Sequence, residues 1–523
     1  MGLVAGAHGG ATSSSWLLPR STGSQVLSLT SWTRSIVSRS IAMGDSRQTG
    51  VRSSLFIIGI VPRRKSEFFI HLQFACYTFF MQSLKKILKS PLFWILSIGF
   101  LIALAYAFYF KVPLAVDARG YDKIGWNLAQ GLGYRESLEV SPLNDVGIVR
   151  VGPGYQFFLA GIYKIFGHSY PAVWVIQSLL LMLTGLGAYL LSREVFRDIW
   201  KPLMGYVAAG FVVFSPDLIT VNAMLLTETL GIFLTVFGVY FSFKYVNQNT
   251  LLYLLLGTAV LFLATLARTP AAFLFIPFFG YLLWKKRFKE IFIAGLCIVV
   301  LGTPWTVRNY QTYGAFMPFH AGGPYNIAIG NRPGATGEQD PHPILTEYLE
   351  KYGAIEAGKL AKKEGFDFIR SHPLEFVRLT AKRTIIYFSA ARPTGFWFHL
   401  HGLSKALTLV LSALYAFLLF VLALMGIASL RRAEKADRFR GKLFLALTAM
   451  MPLAVVGLVV ETRYRFLIYP FLAVFAGYAT HELWGKKTRA FRNLLTSAGI
   501  VALVGGIDVI SNWSRILERI KDL

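Results

Sequence analysis

Met81-Gln-Ser-Leu-Lys85-Lys-Ile-Leu-Lys89 runs directly into Ser90-Pro-Leu-Phe-Trp-Ile-Leu-Ser-Ile-Gly-Phe-Leu-Ile-Ala-Leu-Ala-Tyr-Ala-Phe-Tyr-Phe110, and then into Lys111-Val-Pro-Leu-Ala-Val-Asp117. A helix needs about 20 apolar residues to cross a bilayer. The stretch 92–111 meets that requirement. Lysines ahead of a span hold that end on the cytoplasmic side. Asp117 is then the first carboxylate to emerge on the other side, and both fold and chemistry are read outward from it.

Composition agrees with a membrane class. Of 523 residues, 54% are hydrophobic and only 15% are charged. A soluble chain of this size would need more polar surface. Phe (43) and Tyr (24) bring the aromatic share to 15%, which suits lipid contact and interfacial belts. The net charge is +26. In this setting it reflects basic loops that set topology and meet anionic headgroups, with no nucleic-acid partner implied. Cys76 and Cys297 provide no disulfide framework.

Residues 1–80 differ in character from the rest of the chain. Residues 1–54 are rich in Ser, Gly, Thr and Arg, and the runs Leu55–Val61 and Phe68–Phe80 are too short to span. A bacterial membrane protein commonly begins with Met, a few lysines and the first helix. The expectation is therefore that the native start is Met81 and that 1–80 is upstream sequence translated in error. The rival is an Arg/Ser-rich targeting segment.

Eleven spans are expected, near 92–111, 171–191, 203–216, 219–242, 250–267, 270–284, 291–305, 402–429, 443–460, 465–484 and 493–510. With that count, five basic clusters fall on one side. They are Lys85/Lys86/Lys89, Arg193/Arg197/Lys201, Lys285/Lys286/Arg287/Lys289, Arg431/Arg432/Lys435/Arg438/Arg440/Lys442 and Lys486/Lys487/Arg489/Arg492. The other side receives two large polar loops, 112–170 and 306–401. The chain thus divides into an N-terminal extension (1–80), a transmembrane catalytic module (81–305), the second outer loop (306–401) and C-terminal transmembrane helices (402–523). Loops this long are functional or disordered, and their mixed composition favours function. Surface helices are expected at Tyr155–Phe166, Glu347–Arg370 and Leu374–Tyr387, the last two split by His372-Pro373.

An interfacial carboxylate such as Asp117 can serve as a base. Alternatively it marks the loop start or pairs with Arg119. Around it the sequence reads Asp117-Ala-Arg-Gly-Tyr121-Asp122, then Trp126-Asn127-Leu-Ala-Gln-Gly131-Leu-Gly133-Tyr134. It continues with Arg150-Val-Gly-Pro153-Gly154-Tyr155 and Phe166-Gly167-His168-Ser169. Downstream come Thr303-Pro304-Trp305-Thr306-Val307-Arg308-Asn309, Gly330-Asn331-Arg-Pro-Gly334 and Glu461-Thr-Arg463-Tyr464-Arg465.

In this order the motifs resemble the polyprenyl-phosphate-sugar transferases of the GT-C superfamily. The relevant members are the protein O-mannosyltransferase-like and lipid A aminoarabinose transferase-like proteins. The resemblance covers residues 90–485, although the Arg150–Pro153 spacing is one residue longer than the family form. It implies an all-α polytopic membrane fold of the GT-C type, with about 11 transmembrane helices and interfacial helices in two outer loops. It also implies an inverting, cell-envelope glycosyltransferase of the bacterial inner membrane, its site facing the periplasm. The donor would be a polyprenyl-phosphate-linked sugar, and the acceptor a lipid, glycan or protein.

A sugar attached to polyprenyl phosphate already has a good leaving group. The reaction then requires a base for the acceptor proton and cations for the phosphate. Arginine suits phosphate, being planar and permanently charged. Asp117 is the candidate base. Arg268, Arg308, Arg463 and Arg465 are candidate phosphate ligands, with Arg150 a candidate substrate contact, and interfacial snorkelling is the plainer account of Arg463 and Arg465. Tyr121, Asp122, Tyr155, Asn309, Asn331 and Tyr464 are further candidates for substrate contact.

Glu228, in Leu225-Leu-Thr-Glu-Thr-Leu230, lies in an apolar stretch. There a carboxylate costs roughly 2.5–3.5 kcal/mol on insertion scales unless it is paired or faces a polar cavity. It is assigned to a catalytic cavity, with a helix-pairing role as the alternative. His320 and His342 could join Asp117 around a metal, but no paired-ligand spacing is present and solvated histidines account for them. A divalent metal is left open. The competing functions are a flippase for lipid-linked saccharide and a polysaccharide polymerase or ligase. No repeat between halves favours the former, and the early Asp argues against the latter.

Overall fold

A computed structural model describes residues 88–115, 117–339, 344–392, 398–485 and 488–513. The expectations for 1–80, for Lys85, Lys86, Lys486 and Lys487, and for His342 lie outside these residues.

The protein is all-α and polytopic. The first span is α1 (Pro91–Phe110), and α2 (Asp117–Ala129) and α3 (Gly154–Phe166) follow in the first outer loop. Next come α4 (Tyr170–Val195), α5 (Pro202–Val213), α6 (Pro216–Asn222), α7 (Thr227–Gln248), α8 (Leu251–Ala267), α9 (Phe275–Trp284) and α10 (Phe288–Tyr313). The second outer loop carries α11 (Gly322–Gly330), α12 (Ile344–Ser371) and α13 (Pro373–Phe388). The last four helices are α14 (Gly402–Ser429), α15 (Lys435–Val456), α16 (Tyr469–Trp484) and α17 (Thr488–Ser511). Among the described residues, eight helices are long and apolar enough to span; the bent pair α5/α6 makes a ninth, and Leu251–Ala267 and Thr269–Trp284 are shorter. These account for the eleven expected segments.

Several boundaries differ from expectation, two of them on the way to the outer loops and the site. The fourth span begins at Thr227 rather than near 219, because Ser215-Pro216 starts a separate short helix, 216–222, and the chain leaves helix again at 223–226. Pro216 removes a backbone donor, the Ser215 hydroxyl accepts from Leu218 N at 3.3 Å, and α6 turns 51° from α5. Glu228 therefore sits in the first turn of a new helix, not in mid-span. The seventh span extends past 305 to Tyr313, with Pro304 inside it, and stops where Gly314 adopts φ 64°. The helix Asp117–Ala129 was not expected at all.

The core centres on α16. Ala473, Val474, Phe475 and Ala476 are fully buried there. Gly477 and Gly426 let backbones approach closely: a Cβ on either would collide with the carbonyl of Met204 or Phe475. By contrast α10 leaves Phe292, Val299 and Val300 exposed, as a lipid-facing helix does.

The basic loops meet at one end. Asp437 accepts from the backbone N–H groups of Asp198 and Ile199, Arg440 pairs with Asp198 at 2.8 Å, and Arg432 pairs with Glu482 at 3.0 Å. Trp284 packs on Phe439 with centroids 5.3 Å apart. The C-terminal part of α1 instead meets the start of α4, through Phe108 and Trp174. Both outer loops therefore lie at the opposite end from the basic clusters.

Candidate active site

Asp117 is the first residue of α2, where a carboxylate is favoured by the helix dipole. Its side chain does not pair with Arg119, which donates to the Leu114 carbonyl. Arg150 Nη1 lies 3.2 Å from Oδ1, and Arg463 Nη2 lies 3.1 Å from Oδ2. Each arginine is itself oriented. Arg150 grips Glu136 in bidentate fashion, with Nε–Oε2 and Nη2–Oε1 both 2.9 Å. This pair rests on Gly120, where a Cβ would lie 2.6 Å from Arg150 Nε. Burial works against the Arg150 charge, but Glu136 and then Asp117 outweigh it, so its pKa is raised.

Arg463 lies in the short helical turn Thr462–Ile468, ahead of α16. Its Nε is paired with Glu461 and stands 3.9 Å from Glu228 Oε1. Glu228 is bound more closely by Arg268, whose Nη1 is 2.6 Å from the same oxygen and donates to Thr227 Oγ1 at 3.0 Å. The spacing of Thr-Glu-Thr-Leu-Gly explains this fit. Glu228 and Gly231 share one helix face, and the Arg268 stem lies against Gly231. Arg268 and Arg463 each lie 5.8 Å from the centre of the Tyr464 ring.

The result is a cluster of four carboxylates (Asp117, Glu136, Glu228, Glu461) and three arginines (Arg150, Arg268, Arg463). Exposure separates their roles. Glu228 is sealed, at 2%, whereas Asp117 is 29% exposed. The arginines occupy two directions around Asp117, and a carboxylate offers about four lone-pair sites. A further hydrogen-bond donor can still reach it. Tyr121 is buried beside Asp117; burial, then the Asp117 charge, pushes its phenol up, so it stays a neutral donor.

The structure thus brings together Asp117, Tyr121, Arg150, Glu228, Arg268, Arg463 and Tyr464. Of the other candidates only Tyr155 touches this group, through Tyr121. Asp122 is buried and accepts from Tyr163 (2.6 Å), Tyr170 (3.0 Å) and His168 (2.8 Å). Tyr155 supports Tyr121 from behind and donates to Gln177, which in turn holds the carbonyls of Asn222 and Met224. Arg308 lies among Tyr134, Trp305 and Tyr313, 5.3–5.6 Å from each ring centre. Asn309 donates to the Met317 carbonyl, and Asn331 accepts from Arg383, so both serve the second loop. Burial lowers Arg383 to about 10. Arg465 is fully buried and does not snorkel; it donates to Tyr469 Oη and to the carbonyls of Ser389 and Arg392.

Sequence reasoning passed over Glu136 and Glu461. Glu461 stands two residues from Arg463 in the same short motif, whereas Glu136 has no local signal. His320 is a tie between loops. Its Nδ1 accepts from Gly322 N at 2.9 Å and its Nε2 is 2.8 Å from Thr269 Oγ1, a pattern that places the proton on Nε2. Burial lowers its imidazole to about 4, with the Val149 carbonyl opposing. Among the described residues no group of three His, Cys, Asp or Glu side chains is placed to hold a metal ion.

Residues 150–306 match the family model of dolichyl-phosphate-mannose-protein mannosyltransferases. The matched segment contains Arg150, Glu228 and Arg268. No curated protein sequence matches the chain. Among solved structures, it is similar to the oligosaccharyltransferase AglB of Archaeoglobus fulgidus, in complex with an inhibitory peptide and a dolichol-phosphate. That similarity has 14% identity and a TM-score of 0.44 over 80% of this chain and 54% of that one. A second oligosaccharyltransferase structure from the same organism, with Zn and sulfate, matches at 14% identity and TM-score 0.45 over 79% and 52%. ArnT from Cupriavidus metallidurans, bound to undecaprenyl phosphate, matches at 14% identity and TM-score 0.45 over 80% and 64%. The chain spans less than two thirds of each of these structures.

Proposed function

We propose that this multi-pass membrane protein transfers a sugar from a polyprenyl-phosphate donor to an acceptor, with inversion at the anomeric carbon. Supporting the transferase class is the family match over 150–306. The observation that carries the reading further is Asp117, partly open and held between Arg150 and Arg463.

In this reaction the acceptor hydroxyl or amine attacks the anomeric carbon from the side opposite the phosphate. Its proton passes to an Asp117 oxygen. The bond between the anomeric carbon and the phosphate oxygen breaks, and polyprenyl phosphate departs with its electron pair. Arg463, with Arg268 and Arg150 around it, offsets the phosphate charge. Glu228 and Glu461 hold those guanidiniums in place, and Tyr121 donates to sugar or acceptor oxygens. The site sits at the end away from the basic loops. The positive-inside rule supports a non-cytoplasmic face there, which in a bacterial inner membrane would be the periplasmic one.

The test is conversion of a synthetic polyprenyl-phosphate sugar in reconstituted membranes. Release of polyprenyl phosphate by the native protein, and its loss in Asp117→Asn, is the expected result. Movement of intact lipid-linked sugar across the bilayer without cleavage would establish the flippase instead. Lipid analysis of a deletion strain for an accumulated polyprenyl-phosphate sugar would identify the sugar.

A further inference from the structure

A second buried charge group lies outside the cluster around Asp117. Asp508, on the last helix α17, is 3% exposed. Both of its carboxylate oxygens face Arg392 Nε, at 3.0 and 2.8 Å. Asn512, one turn further on, donates to Oδ1 at 3.0 Å. Arg392 Nη1 pairs with Glu338 of the second outer loop, and Arg465 holds the Arg392 carbonyl at 2.8 Å. Charges this deeply buried persist only when fully paired. Here the pairing joins three segments distant in sequence.

Glu338 leads toward the candidate active site through the backbone. It forms a parallel bridge with Val460, and Val460 N–H donates to the Gly337 carbonyl at 3.3 Å. Gln339 accepts from Tyr464 Oη at 2.8 Å. Residues 337–339 therefore brace the turn that carries Glu461, Arg463 and Tyr464.

We propose that Asp508, Arg392 and Glu338 form a latch by which the last helix fixes the position of Arg463, making all three positioning residues for donor binding. This rests on the transfer reaction proposed above, with Arg463 on the donor phosphate. Loosening the latch should weaken the grip on phosphate while leaving the chemical step at Asp117 close to normal. A contact that serves stability alone would reduce the folded fraction, lowering kcat without moving KM.

The test uses the full chain in nanodiscs and compares Asp508→Asn with Asp508→Glu, which keeps the charge. Amide exchange is followed over Val460–Tyr464, together with KM for donor and affinity for undecaprenyl phosphate. Expected for Asp508→Asn are faster exchange in that segment and roughly tenfold weaker donor and undecaprenyl-phosphate binding at near-native kcat, with Asp508→Glu lying closer to native. Unchanged exchange overturns the latch whatever happens to activity. Faster exchange with unmoved KM and affinity also overturns it, leaving only a stability contact. If the native protein neither releases nor binds polyprenyl phosphate, the transfer reading fails on its own. The latch is then decided by exchange alone.

Discussion

Arg463 Nη2 lies 3.1 Å from Asp117 Oδ2, across 346 residues of chain. The late Arg-Tyr-Arg turn and the end of the first helix are thus one locus. Asp117→Asn keeps the shape of that locus but removes the base. Transfer should fall by about 10²–10⁴-fold, measured as polyprenyl phosphate released, with membrane insertion unchanged. Turnover near the native rate would remove Asp117 from the mechanism.

Arg463 serves Asp117, Glu461 and Glu228 from a single planar group. Lysine presents one point charge and cannot satisfy all three. Arg463→Lys should therefore raise donor KM by about tenfold or more, a loss of roughly 1.4 kcal/mol in binding. Steady-state kinetics with varied donor will check this.

Glu228 and Arg268 form the most deeply buried pair of the cluster. Removing one partner from such a pair costs about 3–5 kcal/mol, while replacing both is far milder. Arg268→Met should lower the thermal unfolding midpoint in detergent. Adding Glu228→Leu should recover much of that loss, though not the activity. Additive losses in this double-mutant cycle would show that the two side chains do not interact.

His320 is lowered to about 4 by burial, against an ordinary value of about 6.5. As pH falls from 6.5 toward 4, the unfolded chain takes up this proton and the folded chain does not. Stability contributed at this residue therefore declines across that window as pH falls and levels out below it. Thermal unfolding of native protein and His320→Gln should converge as the buffer is acidified from pH 7 to pH 4.5. Parallel curves would refute the assignment.

Gly120 leaves room for the Arg150–Glu136 pair against α2. Gly120→Ala, otherwise a helix-favouring change, should instead displace Arg150 from Asp117 and reduce transfer, with little change in expression. Activity at the native level would mean that Arg150 is not needed where it stands.

Much of the fold was legible because its signals are local. Apolar runs of span length, basic clusters at alternate loops and the His372-Pro373 break each announce an element within a few residues. The break at Ser215-Pro216 was hidden because the residues on both sides are apolar, and hydropathy does not register a 51° bend. The cluster around Asp117 was legible only in part. The carboxylate and arginines could be named, but partners are chosen by packing at large separation. Arg463 joins Asp117, while Arg465, two residues on, turns into the core to reach Ser389 and Arg392. Asp122 has the same difficulty: its partners Tyr163, His168 and Tyr170 are more than forty residues downstream, beyond the α2 stretch that made it look available.

The pairing of an early carboxylate with a late arginine also has a temporal side. During synthesis the ribosome delivers Asp117 and Arg150 long before Glu461 and Arg463. Until the turn at 462–468 emerges, Asp117 lacks its Arg463 contact, and a product terminated before it lacks Glu461 and Arg463. The constellation is completed only after that turn has been made, so a chain stopped short of it carries the carboxylate without the arginine on its second oxygen.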